Sequence, residues 1–154
     1  SFVISNNPNA KGLNFANIHK IKKKVFDFTN QRSAEKKILL ELKKNKIQII
    51  CLAGFMKILS KGFIKNFKGK ILNIHPSLLP KYKGLNTHQR VLNNNEKFSG
   101  CTVHYVSSKL DSGKIISQKK IKIKKKDTPK SLAKRILVQE HKLFPLALLK
   151  ILNL

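Results

Sequence analysis

Acidic residues are scarce in this 154-residue chain, which has 7 aspartate and glutamate residues against 33 lysine and arginine residues. The resulting formal charge of +26 attracts nucleic acids, anionic membranes and phosphorylated metabolites. Tryptophan is absent and arginine is rare, although clustered arginine and aromatic side chains are what nucleic-acid readers usually present. The composition therefore favours the interpretation that the positive charge is a general excess of lysine. A basic nucleic-acid-binding module remains the alternative that involves no catalysis.

Long hydrophobic runs and cysteine are also scarce. No apolar run approaches the roughly 18 residues that a membrane-spanning helix needs. The first residues, 1–4, lack the basic, apolar and small-residue zones of a secretory signal. Cys51 and Cys101 are too few for a disulfide framework, and no spacing of histidine, cysteine or carboxylate residues is typical of a metal site. We therefore predict a reduced, cytoplasmic protein that holds no metal.

Short apolar runs alternate with amphipathic stretches, which predicts strands and helices in turn. Strands are predicted over residues 2–5, 25–28, 47–53, 70–74, 101–106 and 115–123. Helices are predicted over residues 10–20, from a cap at Ser33 onwards, over 60–67 and 88–93, and from Thr128 onwards. The hydrophobic content of 41% supplies a core for one domain, residues 1–154.

The order of these elements predicts an α/β fold with an open, mostly parallel twisted sheet flanked by helices. The strand at 47–53 is continuously apolar, which predicts burial on both faces. The last two strands predict an antiparallel hairpin at one edge of the sheet. Pro145 is expected to kink or interrupt the last helix.

One strand ends in polar residues that suit carbonyl chemistry. Asn73 and His75 are two residues apart, so their side chains point to the same face of the strand. Ligands of open α/β sheets bind beyond the carboxyl ends of the strands. An amide donor beside an imidazole can stabilise a carbonyl oxygen that becomes an oxyanion. Pro76 restricts the backbone directly after His75.

Other polar residues have two interpretations from the pattern alone. Asp111 lies in a turn, where aspartate is usually a turn former, but it would orient His75 if folding brought the two together. Glu140 is flanked by basic residues on the last helix, as a surface salt-bridge partner would be. His88 either lines the site or caps a helix. His104 is expected to be a sheet-face histidine rather than a ligand.

Three segments carry a resemblance to a known family. The motif Asn-x-His-Pro-Ser-Leu-Leu-Pro begins at Asn73, and it follows residues 52–59 and precedes residues 110–113 in the expected order. The chain resembles the folate-dependent formyltransferases from residue 2 to about residue 145. Within that group it is most similar to the enzymes that formylate glycinamide ribotide, and the implied fold is the Rossmann-like fold of that family.

The resemblance implies transfer of a formyl group from 10-formyltetrahydrofolate to the amine of 5-phosphoribosylglycinamide in de novo purine biosynthesis. Asn73 would hold the formyl oxygen, and His75 would act as general acid and stabilise the tetrahedral intermediate. Asp111 would keep His75 protonated and pass protons through water. The implied partners are small molecules, with no metal, membrane or specific nucleic acid, in a monomer or homodimer.

The resemblance also implies binding residues. Formyl folate would be contacted by Arg32, Met56, Lys57, Ile58, Leu59, Asn73, Ser107, Ser108, Lys109, Leu110 and Asp111. The ribotide would be contacted by Gly84, His88, Leu137, Val138, Gln139 and Glu140. Formyltetrahydrofolate deformylase and methionyl-tRNA formyltransferase are the alternatives within the group.

The chain departs from the family at its start. Its first strand corresponds to the family's second, so one β-α unit of roughly 30 residues is expected to lie outside these 154 residues. That unit carries a Gly-Ser-Asn loop that would cradle the ribose phosphate at a helix N-terminus. We therefore expect the full-length gene product to be active and the 154-residue chain alone to show weak or no turnover.

Overall fold

The computed structural model describes residues 1–154, in which helices and strands alternate. The strands are β1 (Val3–Ser5), β2 (Lys23–Val25), β3 (Ile49–Leu52), β4 (Lys70–His75), β5 (Phe98–Tyr105) and β6 (Ile115–Lys122). The helices are α1 (Lys11–Ile18), α2 (Gln31–Lys44), α3 (Lys61–Asn66), α4 (Thr87–Asn93) and α5 (Pro129–Leu152). No helix combines the length and apolar character needed to cross a membrane.

The first of two compact units comprises residues 1–49 and 59–69. Its strands β1 and β2 pair in parallel as a two-stranded sheet. Helix α3 begins after Ser60, whose hydroxyl accepts the N–H of Phe63 as an N-cap. Buried apolar side chains of this unit are Leu13, Ala16, Ala34, Ile38, Leu42, Leu59, Phe63 and Phe67.

The second compact unit comprises residues 50–58 and 70–154. The sheet order is β3-β4-β5-β6, and β5 pairs antiparallel with both β4 and β6. Helix α5 packs against β5 and β6, and α4 packs against α5. The core between them is formed by Ile74, Val91, Cys101, Val103, Leu132, Ile136, Leu143 and Ala147.

The register of β4 against β5 creates a polar face opposite this core. Asn73 is paired with His104, and His75 is paired with Thr102. Side chains at paired positions of an antiparallel ladder project from the same face. Because Ile74 lies in the core between Asn73 and His75, the four polar side chains share the other face.

The predicted α/β architecture and the β5–β6 hairpin at a sheet edge are confirmed. Three local predictions are wrong. The cap of α2 is Asn30, whose side chain accepts the N–H of Ser33. Cys51 on β3 is exposed, so the strand is not buried on both faces. The strand predicted at 25–28 ends at Val25, with residues 26–28 outside the parallel pairing.

The predicted interruption of the last helix is also wrong. Pro145 lies inside α5, which continues to Leu152. A proline removes one helical hydrogen bond, but Leu143 and Ala147 on either side of it are buried in the core. Packing of these neighbours offsets the lost hydrogen bond. The assignment of residues 1–154 to a single domain stays a prediction.

Candidate active site

The loop after β4 is held in place by hydrogen bonds of polar side chains. The Thr102 hydroxyl donates to the Ser77 carbonyl at 2.7 Å and accepts the Leu79 N–H at 3.1 Å. The Ser77 hydroxyl donates to the Lys81 carbonyl at 2.7 Å, and the Gln118 amide donates to the Leu79 carbonyl at 2.9 Å. These contacts fix the path of the backbone that faces His75.

His75 lies between two hydrogen-bond acceptors. Its Nε2 is 2.9 Å from the Tyr82 carbonyl oxygen, and its Nδ1 is 3.3 Å from Oδ2 of Asp111. Both side chains of the His75–Asp111 pair are 8% exposed. The Tyr82 carbonyl can only accept, so Nε2 carries a hydrogen. The contact between Nδ1 and Asp111 is an ion pair when the ring is protonated.

Asp111 is held by its backbone conformation and by a backbone donor. Its φ of 43° lies in the left-handed region, which aspartate tolerates better than most residues. The Gly84 N–H donates to Oδ2 of Asp111 at 2.8 Å, and Gly84 itself has a φ of 76°. The other carboxylate oxygen, Oδ1, is 3.7 Å from Nε2 of His104. The charge of Asp111 is thus enclosed by two imidazoles and one amide.

His104 is a member of this cluster that the sequence pattern missed. It is 2% exposed, and its Nε2 is 3.3 Å from Nδ2 of Asn73. Burial lowers the pKa of His104, and the charge of His75 lowers it further, while the Tyr105 carbonyl and Asp111 act in the opposite direction. Its alternation in β5 predicted a sheet-face position correctly. Its place beside Asn73 comes from the pairing register of β5 with β4, which the local pattern does not contain.

His88 lies at the second position of α4 and does not cap the helix, since the N-cap residue is Asn86. Its Nδ1 is buried and has no hydrogen-bond partner. Burial lowers the pKa of His88, and the charge of His75 lowers it further. The helix-capping interpretation is therefore wrong, and His88 lies within electrostatic range of His75.

The residues predicted to contact folate differ in their exposure and in the unit to which they belong. Met56 and Ile58 are exposed to 75% and 67%, whereas Leu59 is buried in the first unit. Arg32 lies on α2 and lines a cavity of about 1210 Å³ within the first unit. Lys57, Ser108, Lys109 and Leu110 are exposed, and Ser107 is half-buried. Within the loop at 107–111, Asp111 contacts His75 through Oδ2, which lies 3.3 Å from Nδ1.

The segment 137–140 predicted to contact the ribotide lies on α5. Leu137 and Val138 are about half exposed. Glu140 is half-buried and forms no ion pair, so the surface salt-bridge interpretation is wrong. Burial raises the pKa of Glu140, and the charge of His141 opposes this in part. No hydrogen bond joins Glu140 to Asn73, His75 or Asp111.

Similarity to known proteins extends over nearly the whole chain. The formyl transferase family matches residues 1–148. The chain belongs to the formyl transferase family. It is 42% identical to phosphoribosylglycinamide formyltransferase of Haemophilus influenzae over 149 residues, which are 95% of this chain and 70% of that protein. It is 43% identical to human trifunctional purine biosynthetic protein adenosine-3 over 95% of this chain.

Solved members of the formyl transferase family share the fold. The structure of phosphoribosylglycinamide formyltransferase from Anaplasma phagocytophilum matches with a TM-score of 0.90 and 41% identity, covering 96% of this chain and 72% of that one. The Brucella melitensis structure matches with a TM-score of 0.90 and 45% identity, over 97% of this chain and 78% of that one. The chain spans 15% of the length of the human trifunctional relative.

Proposed function

We propose that this chain carries the catalytic centre of a phosphoribosylglycinamide formyltransferase. The reaction moves the formyl group of 10-formyltetrahydrofolate to the amine of 5-phosphoribosylglycinamide. The observation that carries the proposal is that Asn73 and His75 lie on one polar face of the sheet and that Oδ2 of Asp111 lies 3.3 Å from Nδ1 of His75. Two relatives that are 42% and 36% identical to the chain are called phosphoribosylglycinamide formyltransferase, which supports glycinamide ribotide as the acceptor.

Asn73 and His75 stabilise the negative charge that forms when the amine attacks the formyl carbon. The carbonyl oxygen becomes an oxyanion in the tetrahedral intermediate, and preorganised donors lower the energy of such a charge. The Asn73 carboxamide supplies an N–H donor. The protonated His75 ring supplies a positive charge in a buried setting, where electrostatic attraction is stronger than in water.

His75 and Asp111 also handle protons. Both ring nitrogens of His75 face acceptors, so the ring can protonate the departing folate nitrogen only after one contact opens. The contact of Nδ1 to Asp111, at 3.3 Å, is longer than the 2.9 Å contact of Nε2 to Tyr82, and we propose that it is the contact that opens. Asp111 then accepts the proton of the attacking amine through water and returns His75 to its protonated form.

The binding residues are proposed from the same resemblance. Met56 and Ile58 offer exposed apolar side chains that a folate ring system would cover. The other folate contacts are Arg32, Lys57, Leu59, Ser107, Ser108, Lys109 and Leu110, and the ribotide contacts are Gly84, His88, Leu137, Val138, Gln139 and Glu140. No metal takes part in this scheme. A cytoplasmic location and a monomeric or homodimeric state stay predictions.

The choice of acceptor separates this proposal from its alternatives. The full-length gene product is incubated with 10-formyltetrahydrofolate and with 5-phosphoribosylglycinamide, water alone, or methionyl-tRNA. We expect release of tetrahydrofolate together with formylated ribotide. Equal release without any amine would indicate a deformylase, and formylated methionyl-tRNA would indicate the tRNA enzyme. The exposed His19 provides a control, because His19→Ala should leave the rate unchanged.

Nucleic-acid binding is the alternative outside the enzymes. Exposed lysines occur on four elements, α1 and α2 of the first unit and β6 and α5 of the second. A dedicated surface would give binding whose logarithm falls steeply with the logarithm of salt concentration. We expect no tight complex with duplex or single-stranded nucleic acid near physiological ionic strength.

A further inference from the structure

We propose that His104, as a neutral imidazole, is a positioning residue that fixes the orientation of the Asn73 carboxamide. This inference rests on the proposed formyl transfer, since it concerns how one donor of that site is aimed. It assigns a role to a buried histidine on β5 that the roles of Asn73, His75 and Asp111 leave unused.

The hydrogen bonds of His104 determine which ring nitrogen carries the proton. Nδ1 is 2.9 Å from the Tyr105 carbonyl oxygen, which can only accept, so Nδ1 carries a hydrogen. In the neutral ring Nε2 then has a free lone pair. That lone pair lies 3.3 Å from Nδ2 of Asn73, whose N–H groups can donate to it.

The groups around His104 favour the neutral ring. Burial at 2% exposure and the nearby charge of His75 both disfavour a second proton. Asp111, with Oδ1 3.7 Å from Nε2, favours that proton, as does the hydrogen bond to Tyr105. The partner position on β6 is Ile115, which carries no charge. Burial is the largest of these influences, so the pKa of His104 is lowered.

The neutral ring selects one of two orientations of the Asn73 amide. With Nδ2 towards His104, one amide hydrogen bonds to Nε2 and the second stays available to the formyl oxygen. With the amide turned over, its Oδ1 would face the Nε2 lone pair, and two acceptors would repel each other. His104 therefore keeps a donor group, rather than a carbonyl oxygen, in the position from which Asn73 serves the reaction.

A double-mutant cycle with the full-length gene product tests this role. His104→Ala should lower kcat for formyl transfer about 10- to 100-fold, with little change in KM for formyl folate. In an Asn73→Ala background the same change should have almost no effect, because the amide that His104 aims is gone. His104→Gln, which offers a carbonyl oxygen as acceptor, should recover part of kcat.

Three results would overturn the inference: an equal loss of kcat in both backgrounds, no loss in His104→Ala, or no recovery in a folded His104→Gln protein. A wild-type gene product without any formyl transfer would instead refute the proposed function. In that case ¹⁵N spectra still test the inference. We expect an unprotonated Nε2 of His104 at pH 7 and a shift of the Asn73 side-chain amide signals in His104→Gln. A protonated Nε2, or unchanged amide signals, would contradict it.

Discussion

Two buried carboxylates, Glu35 in the first unit and Asp111 in the second, have very different neighbours. Glu35 is 5% exposed, and its Oε1 accepts the Ser60 N–H and the Gln31 side-chain amide, both at 2.8 Å. Its Oε2 accepts the Ser60 hydroxyl. All three donors are neutral groups that do not titrate. Glu35 therefore connects α2 to the start of α3 through a satisfied, fixed network.

Asp111 receives one fixed donor, the Gly84 N–H, and otherwise faces the two imidazoles of His75 and His104. An imidazole can take up or release a proton, which the neutral amide and hydroxyl donors of Glu35 do not, so the charge balance around Asp111 can change during a reaction. The difference teaches that burial alone does not indicate function. A buried carboxylate among titratable neighbours can move protons, and one among neutral donors holds structure.

The largest expected effect comes from His75. His75→Ala should lower kcat/KM for formyl transfer by about 10²- to 10⁴-fold, because the charge that stabilises the oxyanion and the proton donor are both lost. Steady-state kinetics of the full-length gene product, corrected for the folded fraction, measure this. A loss no greater than that of the exposed His19→Ala control would remove His75 from the mechanism.

A change at Glu35 should lower the stability of the protein and leave its activity unchanged. Glu35→Gln should lower the free energy of unfolding by about 1–3 kcal/mol, since an amide cannot accept from every donor around it. Formyl transfer per folded molecule should stay unchanged. Denaturant unfolding measures the first effect, and the exposed Asp27→Asn, which loses only turn contacts with Thr29, is the control, with a smaller change of at most about 1 kcal/mol. A large loss of kcat with normal stability would erase the distinction between the two carboxylates.

The backbone donor of Asp111 depends on a glycine. Gly84→Ala should cost about 1–2 kcal/mol of stability, because alanine resists the left-handed φ of 76°. Steric overlap contributes little, since an added Cβ would meet its nearest neighbour, a Leu110 methyl, at 3.6 Å. Gly12→Ala in α1 is the control and should not destabilise, because nothing lies within 4 Å of its added Cβ. Thermal unfolding measures both variants, and equal stability of Gly84→Ala and Gly12→Ala would contradict the role given to the left-handed backbone at Gly84.

The smallest expected effect is a pH dependence from the half-buried His88. Its pKa is lowered in the folded protein by burial and by the charge of His75, so the unfolded chain binds this proton first as the pH falls. The free energy of unfolding should therefore decrease below about pH 6.5 until the folded pKa is passed. His88→Gln should make this decrease shallower, and His19→Gln should not. An equal decrease of the free energy of unfolding with pH in both variants would refute the assignment of this pH dependence to His88.

Local patterns predicted the part of the site that depends on one strand. Asn73 and His75 share a face because strands have a period of two, and β4 extends through His75. The cap at Ser60 and the start of α5 after Thr128 were also predictable, because capping depends on neighbouring residues.

Features that depend on distant pairing were not predictable from local pattern. The turn containing Asp111 could be identified, but its approach to His75 requires a left-handed backbone and closure of the β5–β6 hairpin. Likewise, alternation placed His104 on a face of β5, but only the β4–β5 register puts that face beside Asn73. The exposure of Cys51 depends on what packs over its face of β3, which the apolar run in that strand does not encode.

The most direct measurement is the rate of formyl transfer to 5-phosphoribosylglycinamide by the full-length gene product and its Asp111→Asn variant. Circular dichroism and thermal unfolding establish that both are folded. Asparagine keeps the size of the side chain and removes its charge, so we expect kcat to fall by about 10²- to 10⁴-fold in a folded protein. A folded Asp111→Asn protein that transfers the formyl group at the wild-type rate would contradict the account.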